Sequence, residues 1–364
     1  PRQPPWPARL LDPLVATAAD VDAGRCRVFL DYCNEAASPH RVDQLVALAR
    51  DAGIRRLDGL TLVCQNRGLD AAEIPIRHAV FDVFLVAGGV ACRQALEAEG
   101  LALDADPAAV ALPEPGHDIC CLNATPRFHR IVTLLMLADA GLVDLDAPDH
   151  DPLCQIPYVS FPGLSCAKIE PRDAPMQDAV AKRLEAEGHA GLVRHLPRLL
   201  ARAPLRVDAF EQTGNALAFA IDMRHYRDAR LSVVTETSLD PGVRRITEKT
   251  FKPLALGQPC VTINAAHTLA IARRLGYDTF DDCIDDAYDR IAHPAARMAA
   301  AVEAAASFLR RRAADPALRA RVRAGAVRNM RWTRTGFLRH YHETFGRPLL
   351  ATLLDPEAAS PPAA

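Results

Sequence analysis

Apolar and polar positions along this chain fall in short blocks that switch between a period of two and a period near 3.6, the marks of strand and helix. From Arg25 onward the two kinds of block take turns. Residues 26–32 (CRVFLDY) read as a buried strand, and 42–52, apolar at Val42, Leu45, Val46, Leu48 and Ala49, as a helix. A second strand covers 60–64 and runs into Gln65-Asn66-Arg67-Gly68. A third is expected over 79–86, closed by Gly88-Gly89, with a helix over 91–100 and a loop over 104–114. The series restarts with strand 118–122 (DICCL) and a turn at Asn123-Ala124-Thr125-Pro126. There Thr125 is the expected N-cap, with Pro126 at the first helical position. The apolar helix that follows stops at Gly141. Residues 144–175, rich in Asp and Pro, read as a connection, and 177–203 as helical. Strand 231–234, a polar loop, a short helix capped by Thr247, strand 259–263 and another helix follow. An Ala/Arg-rich helix covers 295–312, Pro316 interrupts, and helix continues towards Phe345.

Strands alternating with helices predict an α/β protein whose parallel sheets are covered on both faces. A chain of 364 residues is long enough for two such halves. The expected division is an N-terminal extension (1–24), a Rossmann-like domain (25–115), a second one (116–300), Arg-rich closing helices (301–350) and a disordered tail (351–364). The expected architecture is two facing Rossmann-like domains, with ligands at the carboxyl ends of the strands.

Composition adds limits. With 49% hydrophobic residues, 24% charged and a net charge of −2, the chain reads as an ordinary globular protein without an overall pull towards nucleic acid or membrane. Ten cysteines form no C-x-x-C, and most lie in or beside apolar stretches, as in a reduced cytoplasmic protein. No apolar run approaches the roughly 18 residues of a membrane span. Residues 301–347 hold eleven arginines against three acids, Glu303, Asp315 and Glu343. That stretch reads as a solvated face, a contact for an anionic membrane surface, or a clamp on the acidic remainder. It lacks the interleaved aromatics of a nucleic-acid site.

Lysine usage singles out the candidate chemistry. Of 43 basic residues only Lys168, Lys182, Lys249 and Lys252 are lysine, and the last two share the string TEKTFKP. An ammonium is a compact point charge suited to one phosphate oxygen. With Thr247 as cap, Glu248 and Lys249 enter the first turn, where a carboxylate can hold ribose hydroxyls and an ammonium a diphosphate. The alternative is a capped surface helix with an exposed ion pair. Arg127, His129 and Arg130 crowd the start of the helix after DICCL, where basic residues oppose the helix dipole unless an anion is bound. A solvated turn is the alternative there. Asp31 and Glu35, near a strand end, are candidate general bases by position, with structural capping as the other reading. The D-x-D strings Asp144/Asp146 and Asp149/Asp151 lie in the connection, and Asp281, Asp282, Asp285 and Asp286 sit near helix starts. Neither group reads as a metal site, so no metal and no bound cofactor are expected.

In order, strand–N-x-T-P-R-x-H-R–helix, T-E-T-S, I-T-E-K and a strand at G-Q-P-C-V resemble the donor-binding half of fucosyltransferase-like (family ten) glycosyltransferases of the GT-B architecture. The strings TEKTFKP and LGY-x-TF also look like those of bacterial and phage proteins of unassigned activity. The resemblance spans about 118–290. It implies that Glu248 holds a ribose, that Lys249 with Arg127 or Arg130 holds a diphosphate, and that Asn123 and Thr247 belong to the same donor site. Glu236 takes the place of the Glu in the family's F-E-N-S string and joins Asp31 and Glu35 as a candidate catalytic residue. Thr235, Thr237 and Arg245 depart from the family pattern, so base and sugar do not transfer. The expected protein is a cytoplasmic, metal-independent glycosyltransferase, peripheral to the inner membrane. It would move a sugar from a nucleoside diphosphate donor, such as a GDP-sugar, to a glycan or lipid-linked acceptor. The alternative is a non-catalytic nucleotide- or sugar-phosphate-binding subunit.

Overall fold

A computed structural model of the chain describes residues 10–33, 36–69, 74–123, 127–145, 154–155, 174–202 and 219–354. The fold is α/β and divides into two compact units. One comprises residues 1–86, 240–245 and 338–364, the other 87–239 and 246–337.

The first unit opens with α1 (Leu11–Asp22), β1 (Val28–Tyr32), α2 (Pro39–Asp51), β2 (Leu60–Cys64) and β3 (Arg77–Val80). Its strands form one parallel sheet in the order β1-β2-β3, with Val28 opposite Leu60 and Thr61 opposite Arg77. The described part of the expected N-terminal extension is not an appendage. Leu14, Ala18 and Val21 fall on one face of α1 and join Val42, Leu45, Val46 and Leu62 in the core. The carboxylate of Asp22 accepts the N–H groups of Arg55 and Arg56 at 2.8 and 2.9 Å, which ties the end of α1 to the approach to β2.

The expected strand over 79–86 is corrected. Strand ends at Val80, and α3 (Val83–Ala98) begins at once, with Gly88-Gly89 inside it. The cause is Asp82, whose Oδ1 accepts from the N–H of Phe84 at 3.0 Å and of Leu85 at 3.2 Å and so caps a helix. The division between units falls inside this helix, between Val86 and Ala87, and not near residue 115.

Two distant stretches complete the first unit. The Asn66 side chain donates to the carbonyls of Ala37 and Gly242 at 2.8 and 2.7 Å and accepts from the N–H of Gly68 and Arg244. Arg245 donates to Gln65 Oε1 at 2.5 Å. The Tyr341 hydroxyl accepts the Asp82 N–H at 2.8 Å.

The second unit holds β4 (His117–Leu122), α4 (Phe128–Asp139), β5 (Cys154–Gln155), α5 (Ala174–Ala186), α6 (Leu196–Arg202), α7 (Met223–Arg227), β6 (Ala229–Thr235) and α8 (Glu248–Ala255). It continues with β7 (Cys260–Ile263), α9 (Leu269–Arg274), α10 (Pro294–Ala314) and α11 (Pro316–Thr335). Next, α12 (Phe337–Tyr341) returns the chain to the first unit, which ends with α13 (Arg347–Leu354). All four strands pair in parallel in the order β5-β4-β6-β7. The chain therefore steps from β4 to one side, then returns to the other side of β4. Right-handed crossovers put α4 and α8 on opposite faces, and the packing agrees, since α10 lies against α4 and α11 against α8. Pro316 does not merely interrupt a helix. It opens α11 at the first position, with Asp315 accepting the Ala317 N–H at 2.8 Å.

Several arginines of 301–337 are turned onto their own unit. Arg331 donates to the carbonyls of Leu103 and Ala105, Arg311 to that of Cys283, and Arg334 pairs with Asp104 at 2.7 Å. Among the described residues no helix is long and apolar enough to cross a membrane.

Candidate functional site

The reversal of strand order in the second unit lies between β4 and β6. At such a reversal the loops leaving two adjacent strands diverge to opposite faces and open a crevice at the carboxyl edge, the usual ligand position in doubly wound sheets. The loops in question are the ones singled out above, Asn123 to Arg130 after β4 and Glu236 to Lys249 after β6.

Asn123 is buried and accepts a hydrogen bond from the Thr235 hydroxyl, joining the ends of the two strands. The helix after β4 starts at Phe128 with Arg127 at the cap position, so the expected start at Pro126 moves to Phe128; Thr125 and Pro126 lie outside the described residues. From this turn three basic side chains reach across to the β6 loop. Arg127 is exposed and donates to the Thr237 carbonyl. His129 bonds through Nε2 to the Glu236 carbonyl at 2.9 Å. Arg130 is buried and bonds to the Thr235 carbonyl at 3.5 Å. Burial first, then the Arg127 charge, lowers the Arg130 guanidinium to about 10, against the pull of Glu236 and Glu248. Burial likewise lowers His129 to about 4, so the ring is neutral near pH 7.

Glu236 is almost completely buried, and its carboxylate is occupied. It accepts from the Thr247 N–H at 2.8 Å, the Thr247 hydroxyl at 2.7 Å, the Thr250 hydroxyl at 2.7 Å and the Thr237 N–H at 3.3 Å. It acts as a clasp that fixes the start of α8. Thr247 is the N-cap of α8, as its sequence position suggests, and accepts from the Lys249 N–H at 3.3 Å. Lys249 Nζ meets Glu248 Oε1 at 2.5 Å, with 26% and 14% of the two side chains exposed. Burial works to raise the Glu248 carboxyl, but the charge and hydrogen bond of Lys249, joined by Lys252, bring it below its ordinary value. Lys252 is buried and donates to the Ala220 carbonyl at 2.8 Å. The edge thus gathers Asn123, Arg127, Arg130, Glu236, Thr247, Glu248 and Lys249.

Asp31 and Glu35 belong to the first unit. Asp31 Oδ1 accepts the Cys33 N–H at 3.0 Å, and hydrogen bonding from Cys33 holds its carboxyl below the usual range, so it is a weak base. Glu35, Asp146, Asp149 and Asp151 lie outside the described residues. Among the described residues, Asp278, Asp281 and Asp282 bring carboxylate oxygens within 4.8 Å of one another. Asp278 is already engaged by the Phe280 N–H at 2.7 Å and by Arg328, and Arg273 lies 3.4 Å from Asp281.

The loop after β7 also reaches this edge, and pattern reading missed it. His267 is exposed, with φ of 64°, a region uncommon for histidine. Buried Asp289 holds it there, accepting from the N–H groups of Thr268 and Leu269 at 3.1 Å each, while the Asp289 carbonyl accepts the His267 N–H at 2.7 Å. A histidine inside N-A-A-H-T carries no periodic signal, so only the backbone geometry marks it.

Comparison of the chain with protein-family models, with curated proteins and with solved structures found no match in any of the three.

Proposed function

We propose that the second unit binds a nucleoside diphosphate sugar at the β4/β6 reversal and that the protein is a metal-independent glycosyltransferase. The observation that carries this reading is the position of the basic turn Arg127–Arg130 and the Glu248-Lys249 pair. Both flank the reversal between β4 and β6, the place where doubly wound sheets usually hold a ligand. Arg127 and Lys249 supply positive charge at a helix start without a metal, which suits a departing diphosphate. Glu248 is placed beside Lys249 to accept ribose hydroxyls. The architecture of this proposal is the GT-B one, two facing Rossmann-like domains, in a cytoplasmic protein peripheral to the inner membrane. The acceptor is a glycan or a lipid-linked glycan, and of the two candidate bases Glu35 is preferred, because hydrogen bonding from Cys33 makes Asp31 a weak base.

A second reading, a nucleotide- or sugar-phosphate-binding subunit without turnover, is favoured by one observation. Both described candidate carboxylates, Glu236 and Asp31, already spend their oxygens on neighbouring donors. The two readings share the ligand and differ in turnover. Thermal unfolding with GDP, UDP, ADP and CDP tests the ligand, because binding raises native stability by mass action. A shift with at least one of them, lost in Lys249→Met, is the expected result, with affinity falling by about 1.5–3 kcal/mol, the scale of a charge-assisted hydrogen bond. No shift with any of them removes the proposal. Release of nucleoside diphosphate from a donor, undiminished by chelator, separates the enzyme from the binder.

A further inference from the structure

A cavity of about 990 Å³ lies at the opposite edge of the same sheet. Ala229 and Arg230, which open β6, and Pro259, just before β7, form part of its wall. Its volume is at the upper end of ligand pockets. The lining is two-sided. Leu112, Leu256 and Met330 provide an apolar surface and Arg312, Arg319 and Arg323 a basic one, while the carboxylates Glu99, Asp106, Glu114 and Asp228 also reach the wall.

The arginines at the mouths of β6 and α7 are spoken for. Arg230 pairs with Asp118 at 2.5 Å, and Arg227 with Glu99 and Asp228 at 3.2 Å each. The three from α10 and α11 are different. Arg312 is 9% exposed, its Nε has no hydrogen-bond partner among the described residues, and its carboxylate neighbour, Glu114, stands 3.9 Å away with 73% of its own side chain in solvent. Burial lowers its guanidinium, Glu114 opposes this, and the charges of Arg230 and Arg319 press the same way as burial. Arg319 and Arg323 sit four apart on α11, a like-charge pair on one helix face. Among the described residues Arg319 donates to the carbonyls of Arg312 and Ala313, in the last turn of α10, and Arg323 to that of Val110. Three cations share this wall, and the buried one has a weak counter-charge, a solvent-exposed carboxylate at 3.9 Å, so a bound anion would add compensation that Glu114 supplies poorly.

We infer that this cavity binds an organic anion, its carboxylate, phosphate or sulfonate held by Arg312, Arg319 and Arg323 and its apolar body lying on Leu112, Leu256 and Met330. The site is separate from the β4/β6 crevice and does not depend on the proposed activity.

Two dyes that share an aromatic body test it on the full chain, anilinonaphthalene sulfonate and uncharged phenylnaphthylamine. The sulfonate is expected to bind at one saturable site, at least about tenfold tighter than the neutral dye, as expected for a charge-assisted contact. Arg312→Met, which leaves only the exposed Glu114 without its partner, should remove that preference. Ala320→Trp, at an exposed rim position of the lining, should block both dyes without touching the core. Equal affinity for the two dyes, or wild-type binding by a folded Ala320→Trp protein, would overturn the inference. If Arg312→Met does not fold, as read by circular dichroism, Arg323→Gln and Ala320→Trp decide in the same way.

Discussion

Glu236 and Lys249 are charged residues of one short region, used in different ways. Glu236 faces inward and spends its oxygens on the backbone and hydroxyls that start α8. Lys249 remains a quarter exposed beside its carboxylate. Replacing Glu236 by Gln turns one acceptor into a donor among groups that donate. The expected cost is about 1–3 kcal/mol of stability, as for a buried polar group left unsatisfied, read in urea unfolding. Full stability combined with lost turnover would instead make Glu236 a catalytic group. Thr247 was legible in the sequence, because a threonine directly before Glu-Lys is a local cap signal. The role of Glu236 was not. Its partners come eleven and fourteen residues later across a turn-rich loop, and no periodicity reports such a contact.

Helix α8 is held at both ends. Glu236 and Thr247 fix its start, and Gly257 fixes its exit, with φ of 79° and no room for a side chain. A Cβ there would stand 2.8 Å from the Ala326 carbonyl oxygen of α11, which is backbone and cannot swing away. Gly257→Ala therefore combines a left-handed backbone with overpacking, and a loss of about 2–4 kcal/mol is expected in thermal or denaturant unfolding. A cost below about 1 kcal/mol would mean that α11 can retreat. Among the elements, Leu60–Cys64 was read to the residue, because a short apolar run bounded by turn residues suits a strand. The VFLV run at the start of α3 looked the same and is helical. Short apolar runs fit a buried strand or a buried helix equally well, and Asp82 decides the matter through a cap.

Among the described residues, burial keeps His78 in the first unit and His129 in the second neutral, both lowered to about 4. The unfolded chain protonates them near 6.5 while the folded protein does not. Their contribution is therefore complete above about pH 6.5 and is lost as pH falls towards 4, at up to about 1.4 kcal/mol per pH unit for each group. Denaturation midpoints should fall across that window. His129→Gln, which keeps a donor for the Glu236 carbonyl, should flatten the decline in the second unit only. A midpoint unchanged between pH 7 and 4.5 would show that the rings are solvated. The two-unit α/β plan was legible in the alternation of blocks, but the composition of the first unit was not. Asn66 and Gln65 meet residues some 180 positions away in the chain, and their side chains look like any polar turn.

That composition bears on how the molecule is made. Residues 246–337 follow 87–239 almost directly, so the second unit has all its strands and helices once α11 has left the ribosome. The first unit has its sheet early but waits. The Asp82 N–H that opens α3 finds its buried partner only when Tyr341 arrives, and Arg67 its stacking ring only at Phe345. The unit whose sheet forms early is thus completed after the other. Until then its open sheet is the part of a nascent chain that a chaperone would have to shield.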